Sequence, residues 1–164
     1  MVNDPEGSTR VIHPGDIKED GFIKSSAPPV QTSVMPRRPL EKGEILLQNK
    51  GRFVAAVFSM PEGECWITPA SVLILTLKTK KILPEYIALY LNSTKGQRQL
   101  NSVKELSSVP FITRPNLEKI NISIPPIKKQ EKLIKLNNAI SMYKNLTKQK
   151  TEILIKIMNS ELES

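Results

Sequence analysis

The 164 residues carry 24 Lys and Arg against 16 Asp and Glu, a net charge of +8, with 39% hydrophobic residues and seven glycines. This is enough apolar chain for one ordinary domain, or for a smaller one with an appendage. One cysteine, Cys65, excludes an intramolecular disulfide; one histidine, His13, leaves too few soft ligands for a zinc site; and the longest apolar run, CWITPASVLILTL, is interrupted by Pro69 and too short to span a bilayer. The opening MVNDPEGSTR carries acids and no apolar stretch, unlike a secretory signal. The expectation is therefore a cytoplasmic protein with no membrane span, no metal and no cofactor.

In chain order, VIHPGDIKEDGFI sets β-branched residues around turn signals, with EDG as a tight turn between short strands. Residues 25–39, rich in proline and hydroxyl side chains, read as an irregular loop. A strand over Glu44–Gln48, a turn at Asn49-Lys50-Gly51 and a strand over Arg52–Ser59 follow, and MPEGECWITP reads as turn-rich before a strand over Ala70–Leu77. LPEYIALYLNSTKGQRQL is helical: Pro84 suits a first helical position, and Tyr86/Tyr90 and Ile87/Leu91 are pairs four apart. Residues 108–124 return to extended structure, ending with Ile120, Ile122 and Ile124 on one face of a strand.

After Pro125-Pro126 the apolar period changes from two to helical, and no proline or glycine interrupts residues 127–164. Leu136, Ala139, Tyr143, Leu146, Lys150, Ile153 and Ile157 are spaced alternately three and four apart, the seam of a heptad repeat. A helix over roughly 30 residues would be about 45 Å long, more than the preceding domain could cover, so part of the seam needs a partner. The expected fold class is α+β: a strand-rich domain over 1–126, then a long coiled-coil helix over 127–164.

The positive charge is clustered. Residues 76–104 hold six cations against the single acid Glu85, and 127–164 hold eight lysines against four glutamates. Such patches attract a polyanion, most often nucleic acid. The chemistry of an enzyme is absent: there is no glycine-rich phosphate loop, no Gly-x-Ser-x-Gly elbow and no histidine beside a nucleophile. Asp16, Glu19 and Asp20 could suggest a metal-dependent nuclease, but they crowd one turn. Candidates for DNA contact are Gln31, Arg37, Arg38, Lys50, Arg52, Lys95, Arg98 and Lys104, since Arg and Lys meet phosphates and Arg reads guanine. Gln48, Asn49, Gln97, Gln99 and Asn101 could pair with adenine edges.

The blocks IHPGDIKEDGFI, EKGEILLQNKG, LPEYIALYLNSTKGQRQL and LEKINISIPPIKKQEKL occur in an order that resembles the DNA specificity (S) subunit of type I restriction-modification systems. The last block is the most specific: a short strand (Ile122–Ile124), Pro125, Pro126 and then Gln130 lead into a long helix. The resemblance covers about residues 10 to 145. It implies a target recognition domain followed by a spacer helix, the equivalent of half a subunit. It also implies a non-catalytic protein that binds double-stranded DNA and docks methyltransferase subunits, and that dimerises or pairs with another half through residues 127–160, each domain reading part of a bipartite site. The rival reading is an interaction protein that assembles with or inhibits a modification complex through the helix and does not touch DNA.

Overall fold

The computed structural model describes residues 2–3, 9–21, 23, 29–31, 38–60 and 63–163. Among the described residues, seven short strands come first: β1 (Val2–Asn3), β2 (Thr9–Val11), β3 (Pro29–Gln31), β4 (Ile45–Gln48), β5 (Ala55–Val57), β6 (Cys65–Ile67) and β7 (Val72–Leu75). Four helices follow: α1 (Pro84–Asn92), α2 (Thr94–Val103), α3 (Arg114–Leu117) and α4 (Ile127–Leu162). The α+β class is as the sequence predicts.

Two sheets form. In the first, β3 pairs antiparallel with both β1 and β2, and β2 pairs parallel with β6, with Arg10 opposite Trp66. In the second, β4 lies between β5 and β7, antiparallel to both. The apolar run of β4 is continuous because both faces of its sheet are covered. Ile45 and Leu47 pack with α1 and α2, whereas Leu46, pointing the other way, packs with Ile12, Phe58 and Trp66. Trp66 is buried, meets the edge of Phe58, and has the Arg10 guanidinium 5.6 Å above its ring.

The expected turns form where glycine permits positive φ. Gly21, at +87°, closes the EDG turn beneath an antiparallel bridge from Ile17 to Ile23, and Gly51, at +78°, turns the chain between β4 and β5. Several elements differ from expectation. The segment read as turn-rich contains β6, and the loop 25–39 contains β3; both pair with β2, a partner distant in sequence.

The expected single helix from Pro84 is two, because Ser93 caps a second one. Its Oγ donates to Tyr90 O at 2.6 Å and accepts from Gly96 N at 3.2 Å. A Cβ on Gly96 would collide with Tyr90 O, so the two helix ends approach this closely only with glycine there.

The expected final strand is instead an extended segment outside both sheets, and α3 occupies part of the same stretch. Ile120 and Ile122 face the core as the alternation predicts. Side chains of the helices take up carbonyls of this segment: Tyr86 Oη donates to Ser123 O at 2.7 Å, Tyr90 Oη to Asn121 O at 3.3 Å, and Gln99 Nε2 to Asn121 O at 3.1 Å. Burial, and then the neighbouring Tyr90, raise the pKa of Tyr86, so its hydroxyl remains a donor well above neutral pH. Among the described residues no helix is long and apolar enough to cross a membrane.

Candidate nucleic-acid interface and pairing helix

The hairpin tip between β4 and β5 is fixed against the strand-like segment after α2. Gly51 N donates to Pro110 O at 2.8 Å, Ile112 N to Asn49 O at 2.8 Å, and Lys50 forms a bridge with Phe111. Two candidate cations, Lys50 and Arg52, thereby come beside the C-terminal end of α2. One shallow concavity is lined by Arg52, Asn101, Lys104 and Pro110; a second, sharing Asn92, Gln97 and Asn101 with it, runs on to Arg98. Lys95 is exposed one turn before Arg98 on the same helix. Five of the eight candidates thus lie on two neighbouring elements. Arg52 is also ion-paired with Glu19, an exposed pair that salt would screen.

Of the other three candidates, Gln31 and Arg38 fall elsewhere. Arg37 lies outside the described residues. Gln31 ends β3, its backbone opposite Val2. Arg38 is ion-paired with Glu44, a carboxylate only 2% exposed that also accepts from Glu41 N at 2.8 Å and Thr76 Oγ1 at 2.9 Å. Burial alone would push the Glu44 pKa up, but the bonds from Arg38, Glu41 and Thr76 outweigh it and hold the pKa below the usual carboxylate value. Arg38 therefore neutralises a buried acid.

Most of the candidate amides are committed to the fold as well. Gln97 Nε2 donates to Phe53 O at 2.7 Å and Leu91 O at 2.8 Å, Asn49 Nδ2 to Ile112 O, and Gln48 Nε2 to Lys50 O. Asn101 is exposed; its Nδ2 donates to Gln97 O and its Oδ1 accepts from Lys104 Nζ at 3.0 Å. The acids around the EDG turn also have structural partners: Asp16 accepts from His13 N at 2.9 Å, capping a 3₁₀ turn, and Glu19 holds Arg52.

Helix α4 begins at a fixed joint. Gln130 is fully buried; its Oε1 accepts from Leu83 N at 2.9 Å, and its Nε2 donates to Lys81 O at 3.1 Å and Pro125 O at 2.8 Å. One amide thus satisfies backbone groups before α1 and before α4 together. Leu133 and Ile134 pack with Ile87 and Leu91 in the same core cluster, and Asn137 and Ser141 are half-buried on the same helical row.

Beyond Ser141 every described residue of the helix is exposed. At about 100° per residue, the seam from Leu136 through Ile157 is centred roughly 180° from Gln130, on the side away from the domain. Leu136, Tyr143, Leu146, Ile153 and Ile157 are each more than half exposed, and Ala139 and Lys150 are exposed with them. On the domain side the helix instead presents Lys144, Asn145 and Lys148 across an open cleft from Glu19 and Asp20. The sequence pointed to the seam by its spacing. It also carried Gln130, though only the structure gives that residue its role as the joint.

A comparison with curated protein sequences found no match. Residues 36–156 match the family model for the type I restriction modification DNA specificity domain, a span that includes β4 to β7, all of α1 to α3 and α4 to just short of Ile157. The match covers well over half of the sequence and takes in the joint at Gln130 and most of the seam. The chain belongs to the type I restriction-modification DNA specificity family and serves as a specificity subunit of such a system.

Proposed function

We propose that residues 1–126 read one part of a bipartite duplex site, and that residues 127–164 pair with a like helix so that two reading domains stand a fixed distance apart. The observation that carries this reading is the direction of the seam. Five large apolar side chains face away from their own domain, on a helix whose foot is clamped to that domain. Each forgoes about 1.5–3 kcal/mol of burial in water, on the order of 10 kcal/mol in all before ordering costs.

Antiparallel pairing of two copies fits Lys150 best. A parallel in-register pair would set Lys150 against its own copy, whereas antiparallel pairing sets it against an apolar seam position along which its stem can lie. Phosphate contacts come from Lys50, Arg52, Lys95, Arg98 and Lys104. The protein itself makes no bond: methylation belongs to methyltransferase subunits that dock on it.

Two measurements test this. Light scattering at micromolar concentration is expected to give a dimer; a monomer that still binds a specific duplex would overturn the pairing. Removing Arg98 and Lys104 is expected to flatten the salt dependence of DNA affinity by about 0.9 for each phosphate no longer neutralised. An unchanged slope would take α2 out of the interface.

A further inference from the structure

The loop that joins α2 to α3 carries a side chain that neither phosphate binding nor helix pairing employs. Leu106 is 86% exposed, well beyond the other exposed large apolar residues in the described part of the domain, Val109 at 42% and Ile124 at 40%. A single exposed leucine is ordinary on a protein surface and means little alone. Its setting is what distinguishes it.

The loop is a stiff projection. Its base is closed by Glu105 N donating to Phe111 O at 2.8 Å and Phe111 N to Glu105 O at 3.3 Å. Within it, Ser107 Oγ donates to Val109 O, and from outside Asn116 Nδ2 donates to the Glu105 carboxylate. The descending arm is held by the hairpin tip, through Gly51 N and Pro110 O, with the Gly51 Cα facing Val109. The cost of ordering this segment is therefore met in the free protein, and Leu106, the residue next to the closed base, stands almost wholly in water.

Cations stand on either side, although the adjoining Glu105 is an acid and Arg52 is paired with Glu19. Lys104 lies two residues before Leu106, and Lys50 and Arg52 sit on the hairpin tip that grips the loop. A surface on which lysines flank a firmly held apolar side chain matches a duplex, in which phosphates flank the apolar parts of the bases: the thymine methyl in the major groove, or the faces of a base step opened by a wedge. A protein partner would leave the flanking lysines without anionic neighbours unless it were acidic.

We propose that Leu106 contacts the bases, a specificity-determining residue that supplies apolar readout beside phosphate contacts from Lys50 and Lys104. This rests on the reading of the domain as a DNA reader. The test uses the full chain and a preferred duplex selected from a randomised pool, with a scrambled duplex as control. Leu106→Ala, at so exposed a side chain, is expected to unfold at the wild-type temperature.

It should bind the preferred duplex on the order of tenfold more weakly, with unchanged affinity for the scrambled one and an unchanged salt slope. Leu106→Met should recover most of that affinity. Lys104→Ala should weaken both duplexes alike and flatten the slope. Replacing thymine by uracil in the site should reproduce the Leu106→Ala effect if the methyl is the target, and a rise in 2-aminopurine fluorescence on binding should mark a wedge.

Wild-type affinity for the preferred duplex in Leu106→Ala would overturn the inference and leave the DNA reading intact, as would a variant impaired only in holding a methyltransferase subunit. A wild-type protein that binds the selected and scrambled duplexes equally would overturn both.

Discussion

The two ends of α4 obey different rules although one helical period runs through both. From Ile127 to Ser141 the row facing the domain is Gln130, Leu133, Ile134, Asn137 and Ser141, and it is buried or half-buried. Between Met142 and Lys148 the same row turns polar, through Lys144, Asn145 and Lys148, while Tyr143 and Leu146 lie on the opposite side; an apolar residue returns to the row only at Ile155. A helix that only needed to cover its domain would keep one apolar row. The proximal stretch covers the helix's own domain, whereas the seam is the surface that the proposed pairing would cover. Hydrophobic periodicity identifies a face; only packing tells which neighbour it serves.

Three changes would break or sharpen that contrast. The largest effect is expected from Leu146→Glu with Ile153→Glu, which charges the distal seam in both copies of a pair. At about 1.5–3 kcal/mol for each buried side chain, the four replaced in a dimer together exceed about 6 kcal/mol, so sedimentation should show only monomer at micromolar concentration. The domain's unfolding should be unaffected.

Next is Gln130→Ala at the proximal joint. It leaves Leu83 N, Lys81 O and Pro125 O without their partner and should cost about 3 kcal/mol in urea unfolding, while the seam itself remains able to pair. Equal stability of this variant and the wild type would mean that the joint is not clamped.

The smallest is Glu44→Gln, a change remote from the helix. Because Glu44 titrates below its unfolded value of about 4.3, its contribution is present above that pH and is lost as pH falls through the folded pKa. Thermal unfolding should show the variant less stable than wild type by about 2 kcal/mol at pH 7, with the gap closing towards pH 3.

Much of this was legible in the sequence where the signal is local. The switch of period after Pro125-Pro126 foretold α4, and the apolar run around Leu46 foretold a central strand. Cys65–Ile67 was not legible as a strand, because three residues hold no period and the pairing that makes them one is with β2, some fifty residues earlier. Ile120, Ile122 and Ile124 alternate like a strand, but their segment finds hydrogen-bond partners in the side chains of Tyr86, Tyr90 and Gln99 where a sheet was expected.

The break at Ser93 was present as a capping residue before Gly96, hidden by an apolar pattern that reads through it. At the candidate interface, composition could name the cations. It could not show that Arg38 neutralises a buried Glu44, or that Gln97 is occupied in joining α2 to the hairpin, because both depend on what folding brings near.

The tryptophan sandwiched between Phe58 and Arg10 is the sole one in the chain, and it lies in the β-rich part, remote in the fold from the seam that holds Tyr143. Its ultraviolet emission therefore follows the opening of the sheets, whereas the ring of Tyr143 stands exposed on the distal helix. The emission of Trp66 thus reports the opening of the β-rich part alone, without a dye.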